Sequence, residues 1–386
     1  MALLSRKRLI LCKSESSYGV DISPDGTDAL LVRSLEVTPI ESEVVSRDLI
    51  RNYLGNSDQL LAQARVSLSF QVELAGSGAG ATAPRFGALL KACGMAETTT
   101  SSAVTGTAQA GSAGSITLAA GASGTDNIYN GMVISITSGT GNGHAGVITA
   151  YNGTTKVATV QPSTATFVPG ASSAYSIAAN VGYAPVSSSF SSATIYFNND
   201  GVLHKVTGAR GTFTMNTSVG AIPTLDFQMT GIYNAPTDTA APTTTYTNQS
   251  TPVIFKAGNT SAFSILSYSA CLQSLSFNMA NETVYRELVG CTKEVMITNR
   301  APAGECMIEA PTIAQKDFFT IANNDTTGTL TLLHGTAAGN RVTLVAPKVD
   351  ITNPSYADQD GIQMMNIPYV AIPTAAGNDE VKLTFT

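Results

Sequence analysis

Residues 37–49 read VTPIESEVVSRDL and residues 276–288 read SFNMANETVYREL. Glu43, Val45, Arg47, Asp48 and Leu49 fall on Glu282, Val284 or Tyr285, Arg286, Glu287 and Leu288 once a one-residue slip is allowed. The landmarks downstream repeat in the same order. Each copy runs through a strand to an Ala-Pro helix start, Ala83-Pro84 and Ala310-Pro311, and closes in paired hairpin-like strands, 194–233 and 329–371. Internal repeats fix an architecture before any single motif does. The chain therefore reads as two tandem β-rich units, an arrangement suited to a ring in which a few chains supply twice as many sheets.

The elements around the repeat carry clear periodicities. In RVSLSFQVEL (65–74), Val66, Leu68, Phe70, Val72 and Leu74 alternate with Arg65, Ser67, Ser69, Gln71 and Glu73, as expected of a sheet with one buried and one wet face. TLDFQMTG alternates likewise, with Leu225, Phe227 and Met229 inward and Thr224, Asp226, Gln228 and Thr230 outward. A helix is expected over 84–94, with Pro84 at its first position, Gly94 as its stop, and Phe86, Leu89, Leu90 and Cys93 on one stripe. Its counterpart is expected over 311–323, with Ala314, Phe318 and Ile321 aligned. Residues 50–62 read as a long connection with one helical turn after Asn56-Ser57-Asp58.

Between the first helix and its partner strands lies a foreign block, 97–185, whose only charged residues are Glu97, Asp126 and Lys156. Strand-like runs at 115–120, 131–137, 145–152 and 156–160 are separated by turns such as Asn152-Gly153, so the block reads as a small inserted all-β domain. Deleting it restores register between the repeats. The domain plan is then an extended N-terminal arm at 1–32, a first unit over 33–96 and 186–233, the insertion at 97–185, a Pro/Thr-rich linker at 234–251, and a second unit over 252–386. The expected fold class is mainly β with two short helices, of sandwich or barrel type.

Composition narrows the function. Charged residues make up 12% of the 386, against roughly 25% in an average soluble domain. A formal net charge of −6 argues against tight binding to a phosphate backbone. Five scattered cysteines without CxxC spacing suit reduced thiols in a cytosol-made protein. Arg6, Lys7 and Arg8 interrupt the N-terminal apolar stretch, so no secretory signal is expected. No run approaches the roughly 18 apolar residues of a membrane span.

Chemistry-bearing motifs are weak. His144, His204 and His334 lie on turn or hairpin positions, and there is no GxSxG. Gly141, Gly143 and Gly146 match GxGxxG in form, but a strand follows where a dinucleotide site needs a helix. DISPDGTD (21–28) places Asp21, Asp25 and Gly26 as in a calcium loop, yet Val32 stands where the bidentate Glu belongs. No enzyme, cofactor or metal is expected. The polar strand faces say more. Arg65, Ser67, Ser69, Gln71, Glu73, Thr224, Asp226, Gln228, Glu305, Glu309, Lys348 and Asp350 sit opposite apolar stripes and sum to an acidic surface. Closing the sheets of several subunits into a wide barrel would make that face a water-filled lumen and remove exposed edges.

This order of parts resembles the tail tube (major tail) proteins of long, flexible-tailed bacteriophages: an arm, a strand pair (33–49, 65–74) with a long loop, a packing helix (84–94) and a closing strand pair (194–233). The run YNGMVISITSGTGNGHAGVITAYNGTTKVATV is similar to modules that recur in phage structural proteins. The resemblance implies a virion protein, made in the host cytoplasm as a late protein, whose rings stack into a tube with a continuous inner β-barrel that double-stranded DNA crosses on ejection. It implies self-association, with tail-tip, tail-terminator and tape-measure proteins as further partners and no membrane. The arm, the 50–62 loop and the C-terminal tail would contact neighbours. Most such proteins carry one unit and form hexameric rings; two units imply trimeric rings with pseudo-sixfold symmetry, with the insertion projecting outward. The other readings are a β-rich surface adhesin or carbohydrate-binding protein with 97–185 as its binding module, or a capsid decoration protein. An adhesin would be exported and would expose the insertion's aromatics, Tyr129, Tyr151, Phe167 and Tyr175.

Overall fold

The computed structural model of the chain describes residues 3–162 and 167–386. Met1 and Ala2 of the expected arm and residues 163–166 of the expected insertion lie outside the described residues. The first unit opens with β1 (Arg8–Ser14) and the two-residue β2 (Ala29–Leu30). The hairpin β3 (Arg33–Ser46) and β4 (Gln59–Glu73), helix α1 (Gly87–Ala92) and β5 (Met95–Thr100) follow. Seven short strands come next: β6 (Val104–Thr107), β7 (Ala110–Ser112), β8 (Ser115–Thr117), β9 (Val133–Ser138), β10 (Ala145–Asn152), β11 (Val157–Gln161) and β12 (Ala174–Ile177). The unit resumes with β13 (Asn180–Pro185), β14 (Ala193–Asn199), β15 (Val202–Ser218), β16 (Thr224–Tyr233) and the short β17 (Thr237–Asp238). The second unit holds β18 (Thr260–Ile265), β19 (Leu272–Asn278), β20 (Asn281–Arg286), β21 (Glu294–Arg300), β22 (Ala303–Glu309) and α2 (Phe318–Asn323). It continues through β23 (Gly328–His334), β24 (Val342–Ile351), β25 (Ser355–Gln359) and β26 (Ile362–Ala371) to β27 (Lys382–Phe385).

Strand pairing displays the duplication more sharply than residue identity does. In the first unit the antiparallel neighbours run β1–β14–β15–β16–β4–β3. In the second they run β18–β23–β24–β26–β22–β19. Irregularities recur too, with a register shift between Ala193 and Ile195 in β14 and between Gly328 and Leu330 in β23. β15 passes from one layer to the other through a bulge between Thr207 and Arg210, the usual device for bending a strand. Gly208 sits there at φ +59, where an added Cβ would lie 2.7 Å from the Tyr18 ring. In the second unit Thr352–Pro354 interrupts the strand instead, so β24 and β25 together replace β15.

The two units share one core. An inner sheet runs β3–β4–β16–β15–β19–β22–β26–β25. Its buried face carries Phe70, Val72, Leu225, Phe227, Phe213, Met215, Leu275, Phe277, Cys306 and Ile308. The rings Phe70–Phe227–Phe213–Phe277 stand 5.9, 6.0 and 6.3 Å apart in succession, crossing from the first unit into the second. An outer layer covers this face, with Ile10, Ile195 and Phe197 from the first unit and Phe263, Ile265, Leu332 and Leu344 from the second. Burying each large apolar side chain contributes about 1.5–3 kcal/mol.

The structure departs from the sequence expectations in several places; the C-terminal tail, for one, is built in as β27 between β13 and β24. Residues 8–14 are extended, but they are built into the outer layer against β14 instead of forming a free arm. The 50–62 connection holds no helical turn: β4 starts at Gln59, because Arg47 N–H donates to Asp58 O and its guanidinium pairs with the Asp58 carboxylate at 2.7 Å. The second helix begins at Phe318, not Pro311, because the Asp317 side chain caps it by accepting Thr320 N–H at 2.9 Å. Positions 97 and 185 fall inside β5 and β13, which pair with each other in the main sheet; the separate seven-stranded sheet spans 104–177. The Pro/Thr-rich segment is seated: Gln249 bonds Leu31 N–H and Ala29 O, and Thr245 N–H donates to Gly26 O. α1 buries Leu89, Leu90 and Ala92 but starts at Gly87, not Pro84, because Pro84 opens a turn closed by Gly87 N–H on Pro84 O (2.8 Å), and it ends at Ala92, two residues before Gly94 with φ +79.

The seven-stranded insertion has its own core around Ile116, Ile134, Tyr151, Val160 and Tyr175. It docks through Val133 and Val147 onto Ala262, Leu333 and Val345, while Thr343 Oγ1 donates to Gly131 O at 2.7 Å. Leu333 and Val345 alternate with the core residues Leu332 and Leu344. The insertion therefore covers the outer surface of the outer layer, away from the inner sheet's polar face.

A buried arginine ties the two units at a second place. Arg210 reaches Ser191 O and Phe190 O within its own unit, and Glu294 Oε1 (2.9 Å) and Val295 O (2.8 Å) on β21. Its guanidinium lies 4.5 Å from the centre of the Tyr18 ring, whose hydroxyl accepts Val295 N–H. Arg210→Met leaves these carbonyls unsatisfied and should cost about 3 kcal/mol, read as a lowered denaturant midpoint; an unchanged midpoint would contradict this role.

Candidate functional site

Alternation places one polar row along the whole inner sheet. Opposed residues share a face. The pairs Glu73–Thr224, Gln71–Asp226, Ser69–Gln228 and Ser67–Thr230 set β4 and β16 side by side, with Arg65 at the end of the row. The row crosses β15 through Thr214 and Asn216, opposite Asn278 and Ser276 on β19, and reaches Glu305 opposite Ser276. Glu309 and Asp350 join it through Met364 and Val370 of β26. Strand pairing thus sets eleven of the twelve residues singled out in the sequence on one face, with Lys348 at a register shift next to Asp350. It adds Glu36, Glu41, Asn216, Ser276, Asn278 and Asn366, of which Glu36 and Glu41 lie on β3, whose bulges break the alternation.

The face is acidic. Arg65 pairs with Glu41, and Arg33 lies 3.6 Å from Glu73. Against them stand Glu36, Glu41, Glu73, Asp226, Glu305, Glu309 and Asp350. Ser67 Oγ donates to Glu41 at 2.5 Å and, with Arg65, holds that carboxyl below its ordinary range. Asn216 Nδ2 donates to Asp226 at 2.8 Å and Asn366 Nδ2 to Glu305 at 3.4 Å. These are surface ion pairs and amide contacts, which orient side chains more than they stabilise the fold.

Two further surfaces flank the face. Among the described residues, β3 pairs only with β4 and β25 only with β26, so the inner sheet is open at both edges. The β3–β4 hairpin carries exposed Val44, Val45, Leu49, Tyr53, Leu60 and Leu61, with Ile50 and Leu54 fully exposed at 102% each. The β20–β21 tip adds Leu288 and Val289. Tyr285 OH donates to Ala64 O at 3.2 Å, joining the two hairpins. Monomeric soluble proteins rarely expose apolar residues in such groups.

The remaining candidates have structural employment. His334 lies between Thr260 Oγ1 and Val253 O, each at 3.0 Å, and burial lowers its pKa below the ordinary value. His204 stacks on Phe197. Gly141 and Gly143 form the tight turn between β9 and β10, with Gly146 at the start of β10. Asp21 accepts from Tyr196 OH and Lys205, while Asp25 caps a short 3-10 turn. Among the described residues no group of three His, Cys, Asp or Glu could hold a metal. Tyr129, Tyr151, Phe167 and Tyr175 are all buried, so the insertion does not offer the exposed aromatic platform of an adhesin.

Comparison with known proteins agrees with this architecture. No curated protein matches the chain. The family described as "Phage tail tube protein" matches residues 5–386, nearly the whole length. With a mainly β fold and that match across both units, the chain belongs to the phage tail tube protein family.

Proposed function

We propose that this chain is the self-assembling subunit of a hollow phage tail tube, in which three copies form a ring of pseudo-sixfold symmetry and stacked rings enclose the channel for DNA. The observation that carries the reading is the open inner sheet, with two units of identical strand order, both edges free and one acidic face. Three such sheets joined edge to edge would satisfy every strand, and closure is the one arrangement that removes edges altogether. The acidic row then lines the bore. Its like charge repels phosphates, so double-stranded DNA passes without adhering. Tail-tip, tail-terminator and tape-measure proteins would meet the tube at its ends and within it.

The apolar hairpin tips belong to the contact between stacked rings, where covering Ile50 and Leu54 supplies hydrophobic driving force. The insertion points away from the bore, because it packs on the outer layer's far side.

Negative-stain imaging of the purified full chain should show tubes or three-lobed rings; stable monomers at high concentration would contradict the reading. Ile50→Asp with Leu54→Asp should leave single rings that fail to stack, and tubes of normal length would remove these tips from the interface. Asp226→Lys with Glu309→Lys should leave assembly intact and slow genome passage; unchanged infectivity would remove the electrostatic argument. Thr100 and Asn180 are direct partners across β5 and β13, so residues 101–179 can be replaced by an Asn-Gly turn. Tubes of reduced outer diameter are expected, and loss of assembly would show that the insertion is needed to build them.

A further inference from the structure

Within the inner sheet, among the described residues, the two units meet at one joint, and that joint specifies the joint between chains. Within the chain, β15 meets β19 through Thr214–Asn278, Met215–Phe277, Asn216–Ser276, Thr217–Leu275 and Ser218–Ser274. Aligning the units by their buried faces matches Phe70 and Val72 with Cys306 and Ile308, and Leu225, Phe227 and Met229 with Met365, Ile367 and Tyr369. It then matches Leu35 and Val37 of β3 with Leu275 and Phe277 of β19. It also matches Thr214, Met215 and Asn216 of β15 with Ser355, Tyr356 and Ala357 of β25. The strands at the two free edges are thus the counterparts of the strands already joined inside the chain.

Resting on the tube-subunit reading, we infer that β25 of one copy pairs antiparallel with β3 of a second copy in the register Ser355–Thr38, Tyr356–Val37, Ala357–Glu36 and Asp358–Leu35. Three features of the edges fit this register. Inside the chain, Met279 N–H donates to Phe213 O at 3.0 Å, making 213 and 279 a bonded pair. Their counterparts are Pro354 and Pro39, neither of which has an N–H to give. The ladder between chains must therefore stop after Ser355–Thr38, where each edge strand loses its donors together. At the other end, Arg33, 3.6 Å from Glu73 in the single chain, comes beside the β25–β26 turn with its Asp360, a charge match across the joint. In the middle, the half-exposed Tyr356 ring, 54% accessible in the single chain, covers Val37 in the place where Met215 covers Phe277. This joint is one bonded pair shorter than the internal one and lacks its Phe213–Phe277 contact. A ring should therefore open between chains before it opens within one.

Positions 38 and 355 form a non-hydrogen-bonded pair, in which Cα atoms approach to about 4.5 Å, close enough for a disulfide. Thr38→Cys with Ser355→Cys, in full-length protein with the exposed Cys271 and Cys291 changed to Ser, should form covalent dimers and trimers on mild oxidation, reversed by reductant. The shifted pair, Glu36→Cys with Ser355→Cys, should link at least tenfold less. Arg33→Asp should weaken ring formation, and Arg33→Asp with Asp360→Arg should restore it. Rings that form without the 38–355 link, or that favour the shifted pair, would overturn this register while leaving the tube subunit standing. Failure of the unsubstituted chain to form rings would overturn both.

Discussion

The contact on which the rest depends is the antiparallel pairing of β15 with β19. It converts two sandwiches into one inner sheet, and it is reinforced on the buried side by Phe213 against Phe277 at 6.3 Å. Thr217 Oγ1 adds a bond to Leu275 O at 2.9 Å across the same line. Without this pairing each unit would have two edges of its own, and a polar face interrupted every few strands. With it, one face runs continuously from β3 to β25, with its carboxylates on β3, β4, β16 and β22. Arg210, reaching from β15 to β21, fixes the angle of the second unit's hairpin relative to the first.

In the proposed ring, the duplication reduces the free sheet edges to two per chain. The edges carry their own restraints: Pro39 and a run of carboxylates (Glu36, Glu41, Glu43) on β3, and Pro354, Asp358 and Asp360 at β25. Charge and proline on an edge strand discourage indiscriminate pairing. The same residues leave a short stretch open on each side, to which the proposed pairing between chains would be confined. Buried thiols at Cys12, Cys93 and Cys306 are pushed up by burial and take no part in this surface chemistry.

Much of this was readable in the residues. Strict alternation in RVSLSFQVEL and TLDFQMTG marks one polar face on each run, and the two runs pair directly as β4 and β16. The Pro84–Gly94 signals located α1 because local geometry decides a helix stop. Other parts were hidden for physical reasons. β1 carries no alternation, since it is buried among Ile10, Leu11 and Cys12 against β14, and only its partner reveals it. Asp317, not Pro311, sets the start of α2 because a side-chain cap outweighs a proline's preference. The extent of the insertion was blurred because β5 and β13, with Glu97 their one charged residue, are as poor in charge as the strands they flank. Glu36 and Glu41 were missed because the bulges in β3 break the two-residue period by which a polar face is recognised.

The central claim is that the two units continue one another around a closed ring with their shared polar face inward. A helical reconstruction of the assembled tube by electron cryomicroscopy tests it most directly. The account predicts a bore lined by three consecutive inner sheets per ring, with Asp226, Glu305 and Glu309 projecting into the channel and the 104–177 domain on the outside. A bore lined by other strands, or those carboxylates facing the exterior solvent, would contradict it.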